Sequence, residues 1–271
     1  MNHTLNAMPY TLTIGWLYPE LMSTYGDRGN IICLKRRCEW RGIEVEVKKL
    51  DLGFEIYDLR SCDLLFMGGA QDKQQQIVAK DLLRKKAYLK EMIENKIPGL
   101  YICGAYQFLG KYYKESDGTI IKGLDILDLY TENPGEAKKR LIGNVLIKPD
   151  LPSYHIVISV PIPYRYYIDD VVGFENHGGR TYLGKNVKSL GKVTIGYGNN
   201  GEDRTEGAIY KNSFGSYLHG PILPKNPHFA DLLIKLALEK KYKKKIEISP
   251  LDDFLEWQAH LSVAKRMGLS I

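Results

Sequence analysis

Leu100-Tyr101-Ile102-Cys103-Gly104-Ala105-Tyr106-Gln107-Phe108-Leu109-Gly110 sets a short apolar run, a cysteine and two small residues in direct succession. Leu100 to Cys103 reads as a buried strand that stops abruptly at Gly104. A side chain at that junction sits on a sharp turn between strand and helix and is pushed out of the sheet. The positive end of the following helix favours a thiolate there. Small residues after the cysteine let the backbone approach a ligand, and the Gly104 amide is placed as an oxyanion donor. The plain alternative is a buried packing cysteine, the commoner fate of a free thiol. This stretch alone leaves both readings open.

The pattern repeats on either side. Leu12 to Leu17 is β-prone and breaks at Tyr18-Pro19, and Gly26 to Asn30 reads as a turn. Ile31 to Arg41 has helical spacing and is stopped by Gly42. Val45 and Val47 alternate with charged residues, as in a half-buried strand. Leu64 to Met67 is apolar and ends in Gly68-Gly69, a second source of oxyanion donors, with Gly69 the candidate. Asp81 to Asn95 reads as one amphipathic helix. Strands alternating with helices imply parallel pairing in a doubly wound α/β sheet, whose working residues lie where strands end. The second half carries shorter β-like runs at Tyr154 to Val160, Val193 to Tyr197 and Gly207 to Tyr210. Phe229 to Lys240 and Asp252 to Met267 read as helices. The organisation expected is a loose N-terminus over 1–11, one domain over 12–240, and a basic segment with a helix over 241–271 packed on the domain or a partner.

The chain has 271 residues, 44% hydrophobic and 26% charged, which suits a globular domain large enough to need no disulfide or metal. Its +6 charge is concentrated near the end, at Lys240, Lys241, Lys243, Lys244 and Lys245. No stripe of arginines interleaved with aromatics marks a nucleic-acid groove, so a solvated face or an acidic partner is the expectation. Cys33, Cys38, Cys62 and Cys103 form no C-x-x-C pair and no zinc-spaced cluster, so no metal site is expected. Cys33 and Cys38 lie in a helix-like run and read as packing. Met1 to Tyr10 lacks the features of a signal peptide, and no apolar run reaches membrane-spanning length. These features together point to a cytoplasmic protein with reduced thiols.

A thiol nucleophile needs a base. Of six histidines, His3 lies in the loose N-terminus, His155 begins a strand, His228 is near a helix start and His260 is in the last helix. His219, in Ser216-Tyr217-Leu218-His219-Gly220-Pro221, follows a β-like stretch at a loop tip, where a base belongs. His177, in a glycine-rich turn, suits a structural role or a substrate contact equally.

The Cys-Gly-Ala-Tyr-Gln-x-Leu-Gly and Ser-Tyr-Leu-His-Gly-Pro runs resemble the class I glutamine amidotransferases, in the branch related to cobyric acid synthase. Leu17-Tyr18-Pro19-Glu20, Thr24-Tyr25-Gly26-Asp27-Arg28-Gly29-Asn30, Gly173-Phe174-Glu175-Asn176-His177 and Leu218-His219-Gly220-Pro221-Ile222-Leu223-Pro224-Lys225 narrow it. They look like the GatD-type glutaminase subunits of lipid II isoglutaminyl synthase. The resemblance implies a flavodoxin-like α/β fold with a central, mostly parallel sheet flanked by helices. It implies Cys103 as nucleophile and His219 as base in the hydrolysis of L-glutamine to glutamate and ammonia. It further implies a heterodimer with a Mur-ligase-like, MurT-type subunit that uses ATP and Mg to amidate D-glutamate of the lipid-linked stem peptide. No G-x-x-x-x-G-K-[ST] run supplies ATP chemistry here, so no cofactor is expected in this chain. Arg140 is the candidate for the α-carboxylate of glutamine, since guanidinium binds carboxylate in a fork. Gln107, one helical turn past the cysteine, either touches substrate or braces the loop.

Two positions depart from the family pattern. Ala105 replaces a usual glycine and keeps the site small. Pro221 stands where a glutamate usually completes a triad, so a Cys-His dyad is expected unless another acid serves. Glu206, Asp203 or a carboxylate from the partner subunit are the candidates. Competing readings are an amidotransferase for another acceptor, such as a corrinoid carboxylate, a cysteine hydrolase acting alone, and a non-catalytic flavodoxin-like binding module.

Overall fold

Leu64–Met67 and Gly99–Ile102 are buried at every position, as strands covered on both faces of a parallel sheet must be. The computed structural model describes residues 9–151 and 169–269. Its first half runs β1 (Thr11–Leu17), α1 (Arg28–Glu39), β2 (Glu44–Leu50), α2 (Ile56–Arg60), β3 (Leu64–Met67), α3 (Asp72–Arg84), α4 (Lys86–Glu94), β4 (Gly99–Ile102) and α5 (Gly104–Leu109). The chain then builds β5 (Tyr112–Lys114), β6 (Ile120–Lys122), β7 (Leu129–Glu132), β8 (Leu141–Pro149), β9 (Val171–His177), β10 (Arg180–Leu183), β11 (Gly191–Ile195) and β12 (Thr205–Glu206). It re-enters the first sheet with β13 (Ala208–Tyr210) and β14 (Ser213–Ser216), and closes with α6 (Pro227–Tyr242) and α7 (Phe254–Arg266).

The main sheet has the order β13-β14-β4-β3-β1-β2, parallel throughout except for the β13 edge. Met67 pairs with Leu17 on one side and Tyr101 on the other, and Tyr101 pairs with Gly215. The loops after β1, β3, β4 and β14 therefore leave from one edge. Two further four-stranded sheets, β10-β7-β5-β6 and β12-β11-β8-β9, are mostly antiparallel, and the sequence pattern does not signal them. Their strands are short and separated by turns, so no single run carried the pairing.

Three local expectations are corrected. The amphipathic pattern over 81–95 is two helices. Lys85 turns inward to donate to Asp81 Oδ1 at 2.6 Å beneath the Phe54 ring, and the backbone leaves helical angles there. The turn expected over 26–30 is a short 3-10 turn at Thr24–Gly26, with Gly29 and Asn30 already inside α1. His177 ends β9, and the Gly178-Gly179 turn follows it. The run Tyr154 to Val160, with His155, lies outside the described residues.

The C-terminal helix is tied to the sheet domain. Arg37 of α1, itself buried, donates to Asp231 of α6 and to Asp253 just before α7. Trp257 stacks on His228, and Ala264 packs with Leu146 and Val172 beneath β8 and β9. In the basic stretch, Lys241 pairs with Asp63 and Lys244 lies over the Tyr10 ring. Among the described residues no helix is long and apolar enough to cross a membrane.

Candidate active site

Cys103 holds φ 53° and ψ −109°, a left-handed conformation that an L residue adopts at a cost of about 1–3 kcal/mol. Its amide donates to Ser216 O at 2.8 Å and its carbonyl accepts from Gln107 N at 3.0 Å. β14 and α5 thus clamp the elbow from both sides. The Gly104 amide is the first of α5 and lies outside its internal hydrogen bonding, as helix starts require. A Cβ at Gly104 would come within 2.8 Å of Gln75 Nε2, so only glycine lets that side chain close over the elbow.

His219 lies just past β14, where its backbone bridges to Phe174 of β9. Its Nδ1–H donates to Asp27 Oδ1 at 3.2 Å, and both side chains are buried. Burial alone would depress this imidazole. Asp27 on one side and the Cys103 thiol on the other outweigh it and push the ring up to about 10. Nε2 makes no hydrogen bond among the described residues, and Cys103 is the acidic group it meets. Gly69 keeps the space between the two clear, since a Cβ there would lie 2.9 Å from His219 Cε1 and 3.1 Å from Cys103 Cβ.

One cavity of about 670 Å³ joins these groups to the second half of the chain. Cys103, His219, Gln75, Gln107, His177 and Arg140 all border it. Arg140, at the start of β8, donates from Nε and Nη2 to Asn176, which in turn donates to the Tyr25 hydroxyl at 3.0 Å. Tyr25 meets His219 edge to face. Gln107 donates to the Tyr217 hydroxyl at 3.0 Å, while its Oε1 is buried without a partner among the described residues.

A strained cysteine, an imidazole of raised proton affinity and a guanidinium bordering one cavity form an arrangement capable of acyl transfer from a small amide bearing a carboxylate. Residues 13–227 match the CobB/CobQ-like glutamine amidotransferase domain. The chain belongs to the CobB/CobQ-like glutamine amidotransferases. It is 44% identical over 232 residues to the lipid II isoglutaminyl synthase (glutamine-hydrolyzing) subunit GatD of Staphylococcus aureus, spanning 86% of each chain. It is 42% identical over 247 residues to the subunit of the same name in Streptococcus pneumoniae, spanning 91% of this chain and 88% of that one. A solved glutamine amidotransferase of 15% identity superposes with a TM-score of 0.54, covering 83% of this chain and 98% of that one, which supports the fold.

Within this amidotransferase the six residues singled out from sequence fall together: Cys103, His219, Arg140 and Gln107 border the cavity, and Gly69 and Gly104 flank the cysteine. Gly69 needs correction as an oxyanion donor. Its N–H is already given to Asp27 Oδ2 at 2.7 Å, and its carbonyl accepts from Thr24 N. The bare dyad also needs correction, because Asp27 supplies a carboxylate from within the chain. Glu206 Oε1 accepts from Ser216 Oγ and Tyr217 N rather than from His219, and Asp203 closes its own turn by accepting from Asn200 and Thr205. Pro221 packs against Gly29 at the start of α1, so the carboxylate arrives from that helix, two residues before the glycine.

Proposed function

We propose that this chain is the glutaminase subunit of a lipid II isoglutaminyl synthase. The observation that carries the reading is the strained Cys103 elbow beside the Asp27–His219 pair, in a cavity that also holds Arg140. Arg140 receives the α-carboxylate of L-glutamine, and the free Gln107 Oε1 accepts from its α-ammonium. The Cys103 thiolate attacks the side-chain amide carbon. Negative charge gathers on the carbonyl oxygen, next to the Gly104 amide. The C–N bond breaks as His219 hands its proton to the departing nitrogen, releasing ammonia and leaving a γ-glutamyl thioester. His219 then takes a proton from water, which attacks the thioester and releases glutamate and the thiolate. Asp27 keeps Nδ1 protonated throughout, so that Nε2 does the proton work.

Ammonia passes to a Mur-ligase-like, MurT-type partner, which uses ATP to activate the α-carboxylate of D-glutamate in the lipid-linked stem peptide. The names of the two relatives and the subunit-sized match support this acceptor over a corrinoid one. Half-exposed Tyr25, Ile142 and Phe174 stand at the cavity mouth and beside it, the side a partner receiving ammonia must cover. The test is glutamate release from glutamine by the chain, alone and with that partner, beside Cys103→Ala. Wild-type release that the substitution abolishes supports the reading. No release in either state leaves Cys103 a structural residue and ends it.

A further inference from the structure

A buried polar atom without a partner is destabilising, so a cluster of them around one cavity calls for a reason. Gln75 Oε1, Gln107 Oε1, His177 Nε2 and His219 Nε2 are four such atoms among the described residues, and their residues line the same cavity. Gln107 and His219 already have roles in the glutaminase reading, and the His177 ring is held in a stack on Tyr217. Gln75 has none.

Gln75 sits in the first turn of α3 and is buried, with 3% of its surface exposed. Its Nε2 donates to Ala70 O at 2.9 Å. A backbone carbonyl only accepts, so the amide orientation is fixed and Oε1 is the free end. The same amide lies against Gly104, the residue after the nucleophile, close enough that any side chain at 104 would strike it. Gln107, by contrast, abuts Gly179, beside the Gly178 that touches Arg140. Two residues lining the cavity thus carry a carbonyl acceptor without a partner among the described residues, Gln107 toward the Arg140 end and Gln75 toward the Cys103 end.

Resting on the glutaminase reading, we propose that Gln75 is a specificity-determining residue whose Oε1 accepts a hydrogen bond from the NH₂ of the scissile carboxamide. Glutamine and its product glutamate differ only at that group. Glutamine presents N–H donors there, while glutamate presents a second carboxylate oxygen, which a carbonyl acceptor repels. A site built around such an acceptor discriminates far more sharply than a pocket that measures size. Gln75 would then serve both in holding the amide over Cys103 and in expelling the product.

The experiment compares L-glutamine with L-glutamate γ-methyl ester, which delivers the same acyl group and carries no N–H at the scissile bond. Both are assayed with the chain in complex with its partner subunit, with free glutamate as inhibitor. Gln75→Met keeps the packing volume and removes the acceptor. Its kcat/KM for glutamine is expected to fall about ten- to hundred-fold while that for the ester falls no more than about threefold, with glutamate inhibiting more tightly. Gln75→Glu keeps an oxygen acceptor but loses the tie to Ala70. It is expected to lower both activities and hold the amide-to-ester ratio within about threefold of wild type. Parallel loss on both substrates in Gln75→Met would make Gln75 a brace between two loops and overturn the proposal, as would no change on either. Wild type inert on both substrates would remove the glutaminase reading itself, and this inference with it.

Discussion

His177 and His219 border the same cavity, are about equally buried at 2% and 1% exposure, and lie on segments joined by the β-bridge between Phe174 and His219, yet their proton affinities are shifted in opposite directions. Burial pushes both downward. At His177 nothing adequate opposes it. Nδ1 faces Gly179 O, the ring stacks on Tyr217 at 3.7 Å, and Arg180, His219 and Arg140 add positive charge nearby, leaving the group at about 3. The carboxylate beside it, Glu175 at 3.7 Å, is itself raised to about 7 by burial, and its oxygens accept from the amides of Tyr197 and Gly198. At His219 an acceptor and a thiol bracket the ring, and it rises to about 10. Proximity to a cavity therefore does not raise a histidine's proton affinity. A dedicated counter-charge on one nitrogen and a thiol beside the ring do.

The contrast breaks most visibly at His219. His219→Gln should lower glutamine turnover by about 10²–10⁴-fold, the usual worth of a positioned acid–base, while glutamine still binds. Steady-state kinetics with a parallel binding assay checks this. Asp27→Asn comes next: about a hundredfold loss in kcat is expected, since the tautomer held by the carboxylate is no longer enforced. It also has a stability signature. His219 binds its proton more tightly folded than unfolded, so its contribution is full below about 6.5 and is lost as pH rises through about 10. The melting-temperature gap between wild type and Asp27→Asn should accordingly be widest in acid and close toward pH 10.

Arg140→Lys should raise KM for glutamine roughly tenfold with little change in kcat, because an ammonium offers no fork to a carboxylate. An equal fall in kcat would instead place Arg140 in the chemical step. The smallest effect is expected at His177. A group depressed to about 3 in the fold but near 6.5 unfolded takes up protons on unfolding, so it lowers stability as pH falls below about 6.5. Thermal melts of His177→Phe should show it gaining on wild type by a few degrees from pH 7 to pH 5. A gain that is flat with pH would mean the imidazole is not neutral.

The Cys103 side of the candidate site was legible because it is local. A short apolar strand, a cysteine and a glycine fall within a few residues, and the elbow follows from strand and helix meeting there. Asp27 was not, although Thr24 to Asn30 stood among the runs that carried the family resemblance. Beside Arg28 it reads as the cap of α1, and it does hold that position. Its carboxylate makes no capping bond, however, and goes instead to Gly69 N and to a histidine 192 positions away. Gln75 was hidden for a similar reason: Lys73-Gln74-Gln75-Gln76 reads as a polar helix face, and only the fold turns one of these side chains onto Gly104. Arg140 was found through its charge and the resemblance, whereas its brace, Asn176, lies on a strand paired to it only across a sheet that sequence did not reveal.

The positive φ at Cys103 has one more consequence, on an evolutionary scale. Glycine would occupy that backbone without strain. A lineage that no longer needed the thiol would be free to drift toward glycine and would shed that strain by doing so. The cysteine is thus a standing handicap to the fold, and a genome retains it only while some chemistry keeps asking for it.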